Sequence, residues 1–212
     1  MSTSQARGRF GGPGPFRALA NLQRGITVLE LLLVLAIGSS LLLLTAVSAF
    51  SLQATIAVRS AATETAAAFW RARSYAITTG RYTGLKFRRN GDRWEWTLYG
   101  DGNGNGIRNA EITSGIDPPL GVHFPWTRND VMPGIRPGAP DPSDPARTLT
   151  PTTDPIRFGL SDICSFSPVG ESSPGSVYLW DGRNRMGVVR IFGRSAKVGF
   201  LYWKTGEREW TR

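Results

Sequence analysis

Cysteine and histidine are almost absent from this 212-residue sequence, and their scarcity excludes several kinds of site. A single cysteine, Cys164, excludes a disulfide within the chain and a metal site built from several cysteines. A single histidine, His123, excludes the histidine pairs of common zinc sites. No nucleophile–base pair, phosphate-binding loop or pair of carboxylates stands out. We therefore expect a protein that is not an enzyme and that needs no cofactor.

Acidic residues are also scarce, and the resulting positive charge is concentrated at the two ends. The formal net charge is +9, with 25 Lys and Arg against 16 Asp and Glu. Residues 1–25 contain four arginines and no acid, and the part after Trp180 contains eight basic residues against three acidic ones. Hydrophobic residues make up 41% of the chain, enough for a core, and 25 glycines with 14 prolines predict a turn-rich domain.

One long apolar run lies at 26–50 and contains a single charged residue, Glu30. At about 1.5 Å per residue, a helix of this length crosses a hydrocarbon core of roughly 30 Å. Because the arginines precede the run, the positive-inside rule predicts a cytoplasmic leader at 1–25 and an outer location for the rest. The sequence thus predicts a membrane anchor at about 26–48.

Glu30 is anomalous in this run, because a carboxylate inside an apolar span costs about 2.5–3.5 kcal/mol. It therefore needs a partner or a function. If the chain were cut after Gly25, the new amino group of Ile26 would lie one helical turn before Glu30. That amine, or the amine of an adjacent subunit, could neutralise the carboxylate.

The residues around this position resemble a known signal. Arg24-Gly25 followed by Ile26-Thr27-Val28-Leu29-Glu30 and a leucine-rich run resembles the class III signal of type IV pilins and pseudopilins. The resemblance implies that prepilin peptidase cuts between Gly25 and Ile26 and methylates the Ile26 amine, and that Glu30 takes part in assembly. Ile26 replaces the usual phenylalanine, which leaves methylation open. The alternatives are a Sec signal peptide cut near 47–49 and an uncut single-pass anchor.

The pattern predicts one continuous helix from Ile26 to about Thr79, followed by strands. The part beyond residue 50 is rich in alanine and has no Gly or Pro before Gly80. Alternation at 82–87 and 94–99 around Asn90-Gly91 predicts a hairpin, and further strands are predicted at 156–158, 176–180, 187–192 and 197–203. The predicted fold is α+β, a long N-terminal helix with a transmembrane first half, packed on a small antiparallel β-rich head.

Two further passages, AFWRARSYAITTGRYTGLKF and FSPVGESSPGSVYLWDGRNRMGVVRIFGRSAKVGFLYW, resemble the GspH/FimT group of minor pseudopilins. The resemblance implies a removed leader at 1–25, a long helix at 26–79 and a periplasmic head at 80–212. It also implies a structural filament subunit of a type II secretion or type IV pilus machine, inserted once in the bacterial inner membrane. The implied partners are prepilin peptidase, other pseudopilins or pilins, and that membrane. The machine itself stays open, and a Sec-secreted β-domain is a weaker alternative.

The stretch 117–155 holds ten of the 14 prolines and shows no clear periodicity. Proline cannot donate to a sheet ladder, so we expect a long loop within the head. A mobile insertion is the favoured interpretation, and a segment that becomes ordered on a partner is the alternative.

Asp101, Asn103 and Asn105 are spaced like the first oxygen ligands of a calcium loop, with Gly106 at the sixth position. The twelfth position, where a bidentate acid belongs, is Ile112. Asn and Gly also form tight turns without metal, so we favour a structural turn over a metal site.

The C-terminal part carries five candidate DNA-binding residues: Arg183, Arg185, Arg190, Arg194 and Lys197. FimT-type proteins that bind DNA during uptake resemble this chain in carrying a Gly-Arg-x-Arg motif. Gly182-Arg183-Asn184-Arg185 matches the residues of this motif, but it lies one hairpin before the position that the motif has in those proteins. DNA binding for uptake is therefore the alternative function, and a solvated basic face is the favoured interpretation.

Overall fold

A computed structural model describes residues 26–121, 124–125 and 130–212, with only the backbone described at 43–50 and 124–125. The predicted leader 1–25, Gly25 included, lies outside the described residues, and so does His123. The boundary between the chain's two compact units falls between Thr45 and Ala46.

The first element, α1, is a 52-residue helix, Val28–Thr79. Its start is capped, because the backbone N–H of Glu30 donates to Thr27 Oγ1 at 3.2 Å. Its end is followed by Gly80, whose positive φ of 66° suits the left-handed residue that commonly terminates a helix. The capping threonine and the glycine therefore set the two ends of α1.

The transmembrane first half predicted from the sequence is wrong. No helix among the described residues is both long enough and apolar enough to cross a membrane. This finding overturns the anchor at about 26–48 and the single-pass inner-membrane location with a periplasmic head.

Strands dominate the described residues after α1. They are β1 (Thr83–Asn90), β2 (Arg93–Gly100), β3 (Phe124–Pro125), β4 (Met132–Pro133), β5 (Pro140–Asp141), β6 (Asp144–Thr148), β7 (Ile156–Arg157), β8 (Ile163–Phe166), β9 (Gly175–Trp180), β10 (Arg185–Phe192) and β11 (Lys197–Lys204). A short helix, α2 (Asn109–Ser114), lies between β2 and β3.

The strands form two main antiparallel sheets. One has the order β3-β2-β1-β8, and the other has the order β11-β10-β9-β4 with β7 also paired to β9. The β1–β2 hairpin pairs Asn90 with Arg93, so its turn is only two residues long. In the second sheet Arg190 on β10 lies opposite Gly199 on β11. A separate two-stranded ribbon consists of β5 and β6.

The later part of α1 packs its alanine-rich face into the main core. The buried residues of this face recur at helical spacing: Ala57, Val58, Ala61, Ala62, Thr65, Ala68, Phe69, Ala72 and Ala76. Phe69 is fully buried, and its ring lies 5.9 Å from that of Phe158 and 6.4 Å from those of Phe87 and Phe166. At Gly187 of β10 an added Cβ would lie 2.9 Å from Val58, so this glycine permits the helix to approach closely.

The proline-rich stretch packs against the second sheet. Ile135, Ala139 and Leu149 are buried in a second apolar cluster with side chains of β9, β10 and β11. Arg157 connects this stretch to the sheet, because its Nη1 donates to Asp141 Oδ2 at 3.3 Å and to Tyr178 Oη at 3.0 Å. The described part of 117–155 therefore covers one face of the sheet.

Candidate functional site

The first part of α1 exposes apolar side chains on every side. Eleven large apolar residues between 26 and 42 are 52–76% exposed: Ile26, Val28, Leu29, Leu31, Leu32, Leu33, Val34, Leu35, Ile37, Leu41 and Leu42. Residues 31–35 are consecutive and cover more than one helical turn, so the segment has no polar face. We call residues 26–42 the apolar segment. Apolar surface of this extent marks an interaction site, because monomeric proteins rarely expose it.

Glu30 lies at the start of this segment, with its side chain exposed. Thr27 is the residue before the helix and Glu30 is its third residue, which is the spacing of a capping box. The N–H of Leu31 also donates to the Thr27 carbonyl at 3.0 Å. A carboxylate in the first helical turn interacts favourably with the helix dipole. The Glu30 carboxylate therefore stabilises the N-terminal end of α1 in the single chain. Because it is exposed, it can also bind a cation of another molecule.

The five basic candidates near the C-terminus do not form one exposed surface. Arg185 is largely buried, with a side chain 11% exposed. Its Nη2 donates to both the carbonyl and the hydroxyl of Ser51 on α1, each at 3.0 Å. Arg185 thus fastens the β9–β10 turn to the helix, and its guanidinium is not free for a phosphate.

Arg190 is also engaged within the fold. Its Nε donates to Ser176 Oγ at 3.3 Å, and its Nη2 donates to Ser143 Oγ at 2.8 Å. Arg183, Arg194 and Lys197 are exposed. The structure therefore leaves three of the five predicted residues as fully accessible cations.

The Asp101 loop is held by carboxylates that accept backbone N–H groups. Asp101 is 3% exposed, and its Oδ1 accepts from Asn103 at 3.1 Å and Gly104 at 2.7 Å. Its Oδ2 accepts from Gly106 at 2.8 Å. Burial alone would raise the pKa of Asp101, but these backbone donors outweigh it and hold the pKa below its ordinary value. Both Asp101 oxygens are thereby occupied within the turn.

The two asparagines of the calcium-like pattern also bond within the loop. Asn103 Oδ1 accepts the Asn105 N–H at 3.2 Å, and Asn105 Nδ2 donates to Glu111 Oε1 at 2.7 Å. The described part of the chain contains no group of three or more His, Cys, Asp or Glu side chains placed to hold a metal ion. These contacts account for the Asp-Gly-Asn-Gly-Asn-Gly sequence as a turn.

Cys164 lies on β8, fully buried in the main core. Burial raises the pKa of its thiol well above the ordinary value. A protonated, inaccessible thiol is unreactive, so Cys164 acts as a small core residue.

Sequence reasoning missed three positioning residues. Thr27 caps α1, and the Thr-x-x-Glu spacing could have identified it. Asp117 is fully buried and supports the Asp101 loop, since its carboxylate accepts from Gly102 at 3.2 Å and Arg108 at 3.0 Å. Ser51, which anchors Arg185, carries no recognisable signal in the sequence.

Comparison with known proteins adds no relative. No family model, no curated protein and no solved structure matches the chain. The resemblance to minor pseudopilins therefore stays a prediction from the residues of the signal and the head.

Proposed function

We propose that this chain is a structural subunit of a pseudopilin-type filament belonging to a type II secretion or type IV pilus machine. The observation that carries the proposal is the apolar segment, whose eleven large apolar side chains are all more than half exposed. Copies of the chain, together with related subunits, would bury these side chains by packing their helices side by side.

The energetic driving force for this packing is large. Fully burying one leucine or valine side chain contributes about 1.5–3 kcal/mol, so burial of most of the eleven residues can offset an association cost of about 4–15 kcal/mol. The absence of a polar side on residues 31–35 favours an arrangement in which neighbours surround the helix, as in the interior of a filament.

Glu30 would set the register of that packing. After a cut between Gly25 and Ile26, each subunit carries an amine next to its helix start. A neighbour's amine paired with Glu30 in an apolar interior would be a strong, desolvated contact, and its loss would leave a buried charge without a partner. In the single chain the Glu30 side chain is exposed, so its carboxylate is accessible for this pairing.

The test is assembly in cells that contain prepilin peptidase and the filament machine. Leu33→Gln places a polar group within the apolar segment, and we expect strongly reduced recovery of the protein in sheared filaments. Leu160→Gln is the control for the same substitution at an exposed leucine, because Leu160 is fully exposed but lies outside the segment. Glu30→Gln should lower assembly while leaving cleavage intact.

Equal recovery of Leu33→Gln, Leu160→Gln and the unsubstituted chain would contradict the proposal. So would the failure of the unsubstituted chain to enter any filament when all machine components are present.

A further inference from the structure

The free edge of the second sheet carries the features of a peptide-binding site. β11 is the outermost strand in the order β11-β10-β9-β4. Tyr202 exchanges two backbone hydrogen bonds with Thr211, at 2.7 and 2.8 Å, so its backbone groups point away from β10. By the alternation of an antiparallel ladder, those of Val198 and Phe200 point the same way. No described residue pairs with them.

A cleft of about 400 Å³ borders this edge on the side of α1. The helix contributes Ala62, Ala66 and Trp70, and the strand contributes Val198 and Phe200. Trp70 is 57% exposed, which is unusual for a tryptophan beside a core. The charged group of this cleft is the Arg59 guanidinium, 6.0 Å from the centre of the Phe200 ring. The cleft is therefore largely apolar.

A second cleft, of about 530 Å³, borders the same edge on the opposite face of the sheet. Three cations line it, Arg190, Lys197 and Arg212, and no acidic residue of the described part of the chain does. Its apolar part includes Leu201 and Phe192, which is 47% exposed. The two faces of the edge thus differ in chemistry, one apolar and the other cationic.

We propose that the free edge of β11 binds an extended segment of another protein in which apolar and acidic residues alternate. A strand added to this edge would bond to the outward backbone groups of Val198 and Phe200. Because successive side chains of a strand point to opposite faces, one set would enter the apolar cleft beside Trp70. The other set would meet Lys197 and Arg212 in the cationic cleft.

Charge complementarity selects this occupant over two others. A second copy paired edge to edge would place the cations of two cationic clefts against each other, which is unfavourable. Duplex DNA would use the cations but would leave the outward N–H and C=O groups unpaired and the apolar cleft empty. The surface lies wholly within the unit after Ala46, so the inference does not depend on assembly through the apolar segment.

The test measures binding of short labelled peptides to the full chain, kept dispersed in a mild non-ionic detergent, by fluorescence anisotropy. The probe is a capped peptide of about six residues in which valine and glutamate alternate. One control peptide has the same composition with all glutamates in one block, and another alternates valine and lysine. We expect saturable binding of the first peptide and at least about tenfold weaker binding of both controls.

Two variants separate the contributions of charge and backbone. The double substitution Lys197→Glu with Arg212→Glu should reverse the preference, so that the valine–lysine peptide binds at least about tenfold better than the valine–glutamate peptide. Arg183→Glu with Arg194→Glu makes the same change of charge at exposed turn positions that line neither cleft, and should leave the preference unchanged. Val198→Pro removes an outward N–H and should abolish binding of every peptide, with circular dichroism verifying the fold.

Three results would overturn the proposal. The first is that the alternating peptide does not bind, and the second is that the block peptide binds equally well. The third is that duplex DNA displaces the peptide and binds with the same affinity to the Val198→Pro variant.

Discussion

Arg185 distinguishes a structural role of the C-terminal basic residues from a DNA-binding role. Its Nη2 donates two hydrogen bonds to Ser51, and its side chain is 11% exposed. Hydrogen bonds that involve a charged group contribute about 1.5–3 kcal/mol. One nitrogen makes both bonds, Arg185 Nε and Asp181 Oδ2 have no hydrogen-bond partner, and the ion pair of Nη1 with Asp181 Oδ2 is long, at 4.0 Å. We therefore expect Arg185→Ala to cost about 1.5–3 kcal/mol in total.

The assay is urea or thermal unfolding of residues 46–212, the compact unit that contains both partners. For a domain of this size, each kcal/mol lost lowers the melting temperature by about 2–4 °C. Arg183→Ala is the matched control, since that side chain is exposed, and it should change stability by no more than about 0.5 kcal/mol.

The salt dependence of DNA binding gives a second test of the role of Arg185. A side chain that neutralises a phosphate changes the slope of log K against log salt by about 0.9. Arg185→Ala should leave that slope unchanged as long as the domain stays folded. An unchanged melting temperature combined with a slope flattened by about 0.9 would refute the structural role.

Three further predictions address the core, the acidic loop and processing. Phe69→Ala should cost about 3–5 kcal/mol in urea unfolding, because it leaves a cavity among three phenylalanine rings, whereas Trp70→Ala on the exposed side should cost far less. The depressed pKa of Asp101 stabilises the fold fully above the ordinary value of 3.8. Wild type should therefore exceed Asp101→Asn in melting temperature at neutral pH, and the difference should shrink as pH falls through the lower, folded-state pKa; a pH-independent difference would contradict this. Gly25→Leu should accumulate uncut precursor on immunoblots, and N-terminal sequencing of the mature protein should begin at Ile26; a start at Phe50 would favour the Sec alternative.

Local patterns predicted much of the fold after residue 50. The Asn90-Gly91 pair between two alternating runs predicted a hairpin, and β1 and β2 form one. The strands β9, β10 and β11 lie where alternation between glycine-bearing turns indicated them. The hairpin turn is shorter than predicted, because Arg88 and Arg89 are exposed but still pair with Glu95 and Trp94, which extends the ladder beyond the alternating run.

Tertiary contacts explain what local patterns missed. β8 was not predicted, since Ile163-Cys164-Ser165-Phe166 lacks strict alternation and gains its partner only when β1 is adjacent. Ile135, Ala139 and Leu149 are isolated apolar residues among prolines, so their common cluster appears only in three dimensions.

The candidate sites also divide into those that local sequence patterns indicate and those that depend on tertiary contacts. The spacing of Gly25, Ile26 and Glu30 is local, so the sequence alone can predict processing and assembly residues there, and they stay a prediction. The burial of Arg185 depends on Ser51, which is 134 residues away, so the sequence could not distinguish it from the exposed Arg183. Apolar composition at 26–48 suggested a membrane span, but the described helix lacks a stretch that is long and apolar enough.

The central claim is that the apolar segment is buried between subunits, and cysteine cross-linking of assembled filaments tests it most directly. The natural Cys164 is buried and should give no background. Leu33→Cys should form cross-linked species between subunits in filaments, whereas Leu160→Cys, at a position even more exposed in the single chain, should form few. Cross-linking at position 160 but not at 33, or at neither position in assembled filaments, would contradict the account.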